Sequence, residues 1–233
     1  MCGRFTLRVP TSVLVEEFML ESMDPWQPRF NICPTQSVPV IRRASAGSAR
    51  TCVLMRWGLI PSWAKDAKIG NSLINARSET VSQKPSFGSA FRRRRCLIPA
   101  DGFYEWQRRP GHKQPYFIRR PDDGPFAFAG LFESWNGPPD AKDGPAWPTF
   151  TVITTEANAL MRPIHDRMPV ILNAHDFDLW LDPDVQDAAL LQPLLRPCPD
   201  EVLAADPVST FVNSPTHDSP ECVRLVDSNG ADS

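Results

Sequence analysis

Read for polarity, the chain breaks into many short segments. Residues 3–9, 38–43, 51–57, 95–98, 103–107, 116–120, 126–135 and 150–154 have strand length and are rich in β-branched and aromatic side chains. Residues 169–172 and 208–212 read as later strands, and 72–76 as a short extended piece. Helical spacing is rarer. Residues 11–20 place Val13, Leu14, Phe18 and Met19 around Glu16 and Glu17, which predicts a short amphipathic helix. Asn173 is expected to cap a helix through Leu181, with Phe177 and Trp180 on its apolar face. Residues 184–195 read as helical with Pro193 near the end, and 78–90 as partly helical. Residues 23–35 and 58–70 read as loops, and 44–49 as a polar turn between two strands. No βαβ alternation and no internal repeat is visible, so the pattern predicts an α+β, strand-dominated chain.

Composition sharpens this. The 233 residues include 25 prolines and only 12 glycines. Proline at about twice its usual share implies short elements and stiff loops, not a helical bundle. A chain of this length buries enough surface to fold without a metal or disulfide. No run of 18 apolar residues and no apolar N-terminal stretch is present, so neither a membrane span nor a signal peptide is expected, and the default location is cytoplasmic.

Net charge is −2, but it is segregated. Residues 1–55 carry net +2, residues 56–120 net +10 and residues 121–233 net −14. Such separation predicts a basic surface for an anionic partner, unless folding mixes the two stretches. The run Arg92, Arg93, Arg94, Arg95 is either a solvated face or a support for such a partner.

The six cysteines, at positions 2, 33, 52, 96, 198 and 222, contain no C-x-x-C pair, and the four histidines are scattered. Zinc is therefore not expected, nor are disulfides without a secretory signal. Cys52 and Cys96 sit in apolar strand patterns and read as core. Cys2 is different. Its small side chain permits removal of Met1, leaving an amine and a thiol on adjacent carbons. An α-amine with pKa near 8 is about 10% neutral at pH 7, against about 0.04% for lysine, so it attacks an aldehyde first. The thiol then closes a five-membered thiazolidine. Cysteine at position 2 also occurs with no such role.

Six segments narrow the reading: Met1-Cys2-Gly3-Arg4-Phe5, Asn31-Ile32-Cys33-Pro34-Thr35, the stretch from Arg56 to Trp63, Asn75-Ala76-Arg77-Ser78-Glu79-Thr80, the stretch from Cys96 to Trp106, and Ile164-His165-Asp166-Arg167-Met168-Pro169. In that order, over about residues 2–222, they resemble the SOS-response-associated peptidase (SRAP) family, the abasic-site processing proteins. The resemblance implies a single SRAP-like domain over 1–213 with a mainly antiparallel, barrel-like core and peripheral helices; residues 214–233 read by pattern as a C-terminal tail, weakly ordered at its end.

It further implies a sensor and shield of abasic sites in single-stranded DNA in the DNA damage response. After Met1 removal, Cys2 would form a covalent thiazolidine crosslink. Asn75 matches the residue that positions the abasic sugar. Glu105 matches the proton donor and acceptor for sugar opening, crosslink formation and reversal, and His165 the residue that assists Schiff-base chemistry and any strand-cleaving lyase side reaction. By chemistry alone, Glu105 also reads as a buried carboxylate in an aromatic strand, and His165 as a loop residue. Phosphate contacts are expected from Arg4, Arg77, Lys84 and Arg167, with Arg4 and Arg77 exposed at the rim. Base contacts are expected from Trp63 and Pro34. Trp63-Ala64 departs from the two adjacent aromatics of some members. The implied protein is a monomer without cofactor or metal, associated with the nucleoid when on DNA. The alternatives are a cysteine-type peptidase, acting at least on its own Met1, and a non-covalent reader of single-stranded or modified DNA.

Overall fold

The computed structural model describes residues 2–137 and 146–226. Thirteen strands run through them: β1 (Arg4–Leu7), β2 (Arg29–Ile32), β3 (Ser37–Arg42), β4 (Thr51–Trp57), β5 (Asn75–Arg77), β6 (Arg95–Ala100), β7 (Gly102–Arg109), β8 (His112–Arg119), β9 (Phe126–Trp135), β10 (Trp147–Glu156), β11 (Arg167–Pro169), β12 (Ile171–Leu172) and β13 (Ala204–Pro207). The described helices are short: α1 (Thr11–Glu17), α2 (Gly88–Arg93), α3 (Phe177–Leu181) and α4 (Ala188–Leu191).

Five strands close into a barrel. β4 pairs with β3, β3 with β6, β6 with β9 and β9 with β10, all antiparallel. β10 meets β4 in a short parallel joint at Thr149 and Phe150, which completes the ring. Closure leaves these strands no long exposed edge. Packed aromatics fill the interior: Trp57 stacks on Phe150 at 6.2 Å, and Phe5 meets Trp57 at 5.2 Å. The remaining strands form a second sheet in the order β13-β8-β7-β1-β2. Phe5 and Phe103 from this sheet both pack on Phe128 of the barrel, at 5.8 and 5.9 Å. The expected strand-dominated, mainly antiparallel barrel is the architecture found.

Several expected elements shift. Residues 208–212 are not a strand. The strand is β13, one step earlier, and Ser209 then accepts from the Phe211 amide to start a 3₁₀ turn at Thr210–Asn213. Asn173 does not cap α3 through its side chain, because a 3₁₀ turn, Ala174–Asp176, intervenes. The helix expected over 184–195 shortens to α4, capped by Asp187, since Pro193 turns the chain into a 3₁₀ segment.

Residues 214–226, expected as tail, are packed. Asp218 accepts from the amides of Phe30 and Asn31 and pairs with Arg29. Cys222 is fully buried beside Tyr104 and Val212, and Val208 bridges to Leu225. Burial of Cys222, together with those hydrogen bonds, holds this mostly polar segment against the entropy of ordering it. Residues 227–233 lie outside the described residues.

Candidate active site

The site forms where the second sheet meets the barrel. β1 and β7 run antiparallel, with Arg4 opposite Tyr104 and Phe5 opposite Phe103. Continued one residue, that register sets Gly3 level with Glu105, so Cys2 arrives beside it. Alternation along β7 puts Glu105 on the same side as Phe103, facing the barrel. Cys2 is completely buried and Glu105 nearly so. Met1 lies outside the described residues.

Asn75 opens β5, which runs parallel to β10 with Asn75 opposite Val152. Its Nδ2 donates to the Cys2 carbonyl at 2.9 Å. Its Oδ1 is buried and accepts no hydrogen bond from the described residues. That leaves an unmet acceptor beside Cys2, which favours a ligand hydroxyl there.

His165 comes from the loop between β10 and β11, 163 positions from Cys2. The loop is built by local bonds. Asn158 Oδ1 accepts from the Met161 amide at 3.0 Å, Asp200 accepts from the Ala159 amide at 2.8 Å, and the His165 amide donates to Met161. Gln107 of β7 donates to the Pro163 carbonyl at 3.0 Å, tying this loop to the strand that carries Glu105. The Arg167 amide donates to His165 Nδ1 at 2.9 Å. An Asp166 carboxylate oxygen also lies 3.0 Å from that nitrogen.

Burial pushes the Cys2 thiol strongly upward, and the nearby Glu105 charge adds to it. Burial also raises the Glu105 carboxyl, while the His165 charge pulls the other way. Cys2, Asn75, Glu105 and His165 thus gather in one place, Glu105 within reach of the Cys2 thiol and the His165 ring and Asn75 bonded to the Cys2 carbonyl. The cluster combines a thiol, a carboxyl held toward its neutral form, an imidazole and an amide, which suits proton transfer around a carbonyl. Among the described residues, no three His, Cys, Asp or Glu side chains gather as a metal ion requires.

The expected DNA-contact residues separate. Arg77 and Lys84 are exposed. Trp63 is 55% exposed on its loop, and Pro34 is half-buried. Arg4 is not an exposed rim residue. Its guanidinium donates to Asn31 Oδ1 and the Val212 carbonyl, both at 2.9 Å, and lies over Trp106. Arg167 is held bidentately by Glu79, at 2.5 and 3.0 Å, and by the Thr154 carbonyl at 2.7 Å. The arginine run also splits. Arg92 and Arg93 are exposed, Arg94 pairs with Glu133, and Arg95 is buried against Trp180.

Sequence reasoning missed the supporting residues Gln107, Glu79 and Asn31. Asn31 and Glu79 lie in the motif segments, but the contact each of the three makes is with a chain stretch at least 50 positions away, which no local pattern reveals. Asp101 was legible only as part of the Cys96-to-Trp106 stretch. It is fully buried and accepts from Thr6 Oγ1 at 2.5 Å, from the Val9 amide at 2.9 Å and from Arg8, anchoring β1 to the β6–β7 corner.

The chain is similar to several known proteins. Abasic site processing protein YoqW of Bacillus subtilis (strain 168) is 45% identical over 228 residues, covering 96% of this chain and 99% of that protein. Abasic site processing protein HMCES of Gallus gallus is 37% identical over 227 residues, covering 85% of this chain and 66% of that protein. A crystal structure of a protein from Bacteroides thetaiotaomicron superposes with a TM-score of 0.83 at 26% identity, covering 97% of this chain and 100% of that one. The family model described as SOS response associated peptidase (SRAP) matches residues 1–215, which takes in all four clustered side chains and the strands that carry them. With that match and these relatives spanning nearly its whole length, the chain belongs to the SRAP family.

Proposed function

We propose that this protein recognises abasic sites in single-stranded DNA and bonds to them through Cys2 once Met1 is removed. The observation that carries the reading is the gathering of Cys2, Asn75, Glu105 and His165, the first and third buried and the others half-buried, in a chain whose relatives are named abasic site processing proteins.

The chemistry balances without a cofactor. The abasic sugar opens to an aldehyde when a base takes the C1′ hydroxyl proton and an acid protonates the ring oxygen. The Cys2 amine adds to C1′, and one amine proton passes to the carbonyl oxygen. Glu105 protonates the resulting hydroxyl, water leaves and the C=N bond forms. Sγ then bonds to C1′ of the cationic imine, whose N–H stays on the ring nitrogen, and the thiol proton returns to Glu105. The sum is one thiazolidine and one water. A carboxyl raised by burial is suited to be the acid, and imidazole to relay the proton. The raised thiol stays protonated until the cationic imine stands beside it, and that charge favours the thiolate when it is needed. The unmet Oδ1 of Asn75 is suited to accept from a sugar hydroxyl.

The test is mass spectrometry and denaturing electrophoresis of the Met1-processed protein with abasic single-stranded DNA. A heat-stable adduct is expected. Cys2→Ser and Cys2→Ala keep the amine, so both should give only a transient imine, captured by borohydride. A stable adduct from Cys2→Ala without reductant overturns the mechanism and moves the trap elsewhere, with Cys33 next to test. Affinity without any adduct supports a non-covalent reader instead. The word peptidase in the family's description favours a second activity, hydrolysis of the Met1–Cys2 bond. Loss of Met1 with methionine aminopeptidase inhibited, and its retention in Glu105→Gln, would support that.

A further inference from the structure

A cleft of about 360 Å³ opens on the outer wall of the barrel, lined by Ser37, Leu54, Arg56, Trp147 and Pro148. It lies where β4 and β10, joined at Arg56 and Thr149, spread apart beyond their short parallel joint. Two large apolar side chains stand open to solvent there: Leu54 is 53% exposed and Trp147 48%. Exposed apolar groups gathered at one cleft mark a binding surface more often than chance.

The cleft is prearranged. Trp147 rests edge-on against Trp135, with ring centroids 5.9 Å apart. Trp135 in turn donates to the Ala64 carbonyl at 2.9 Å, which ties the cleft wall to the Trp63 loop. Arg56 is steadied by Asn71 Oδ1 at 3.0 Å and the Gly58 carbonyl at 3.4 Å. Those two bonds use two of its five N–H donors. None of the five lining side chains is acidic, so the cleft suits an anionic, aromatic ligand.

Its position selects which one. The Pro34 turn follows Ile32, which pairs with Phe5 three residues from Cys2. Ser37 opens β3 three residues further on and faces Arg56. The Thr35 amide donates to the Trp57 carbonyl and the Trp57 amide to the Gln36 carbonyl, so the Pro34 turn lies against β4 beside Arg56.

Resting on the proposed binding of single-stranded DNA, we propose that this cleft is a second nucleobase subsite. An unpaired base of the same strand, beyond the lesion on the side of the Pro34 turn, stacks on Trp147, and Arg56 faces its edge or the adjoining phosphate. Tryptophan stacking tolerates any base, so the subsite adds affinity without sequence choice.

The test measures binding of the Met1-processed full-length protein to abasic strands lengthened nucleotide by nucleotide on each side of the lesion. Affinity should step up when one arm reaches the cleft. Trp147→Ala should cut that step about tenfold. Trp147→Phe should keep most of it, and Leu54→Glu should weaken it through repulsion of the backbone. 5-Iodouracil at the step position should photocrosslink to the peptide containing Trp147. The proposal is overturned if there is no step, if Trp147→Ala keeps it whole, if the crosslink maps to another peptide, or if Trp147→Ala instead changes the oligomeric state. The step persisting on intact strands with no covalent adduct would sink the crosslinking chemistry and leave the subsite standing. No affinity for single-stranded DNA would overturn both.

Discussion

At the scale of single residues, burial sets what the clustered carboxyl costs the fold. Glu105 is buried, and its carboxyl is raised because ionising it there costs hydration. A raised carboxyl is fully tolerated below its unfolded pKa of about 4.3, and the fold loses stability as pH rises from there through the folded value. Glu105→Gln removes that cost. It should melt higher than the parent, by a margin that grows between pH 4 and pH 7, while forming the adduct at least a hundredfold more slowly. Thermal melts across pH check the first half and single-turnover adduct kinetics the second. A margin that shrinks with pH would mean that Glu105 is held charged. Arg95 is the opposite case, a charge serving structure. Burial lowers it to about 10, and it donates to the carbonyls of Trp180 at 2.6 Å and Phe91 at 2.8 Å, with Asp182 also accepting. Arg95→Met leaves those carbonyls unmet and should cost about 3 kcal/mol in denaturant unfolding. Arg92→Ala and Arg93→Ala, being exposed, should each stay within about 0.5 kcal/mol.

At the scale of elements, β1 is what brings Cys2 to Glu105, and the corner at Asp101 and Gly102 is what holds β1. A Cβ on Gly102 would meet ring carbons of Phe117 at 2.2 and 2.3 Å and Thr6 Oγ1 at 3.0 Å. Only glycine lets β8 and β1 approach β7 this closely. Gly102→Ala should therefore cost about 2 kcal/mol, about 6 °C in melting temperature, and should slow adduct formation through displacement of β1. An unchanged melting temperature would show that Phe117 moves aside freely. The loop carrying His165 is held in the same way from two sides, by Gln107 of β7 and by the Glu79–Arg167 pair.

At the scale of the molecule, charge segregation along the chain is only partly kept in space. Arg94 pairs with Glu133 and Arg119 with Asp206, so members of the basic stretch are neutralised by the acidic one. Arg77 and Lys84 remain exposed. DNA binding should weaken with salt, each single-strand phosphate contact adding about −0.7 to the logarithmic slope. Four contacts would give roughly −3. Arg77→Ala should reduce the slope by about 0.7, and Arg167→Ala by clearly less, because Glu79 already balances its charge. Titrations over a range of potassium chloride check both, and equal effects would mean that DNA displaces Glu79.

Patterning and motif order were enough to give the strand-dominated class, most strand positions and the four clustered residues. Alternation over a few residues is a local signal, and the motifs are contiguous stretches. The ends of the chain's later elements were misjudged for the same reason. Whether residues 214–226 pack depends on Asn31, Asp218 and Tyr104 meeting across the molecule, and no local pattern carries that. The sequence likewise could not tell Arg95 from Arg92, or a braced Arg167 from a free one, because burial and pairing are properties of the neighbours. What the tertiary structure alone decided is distance. It set Cys2 beside Glu105 through one strand register, brought His165 to them through a loop tied to β7, and opened the Trp147 cleft where two barrel strands spread. Each depends on contacts between residues far apart in the chain, which become neighbours only when the barrel closes.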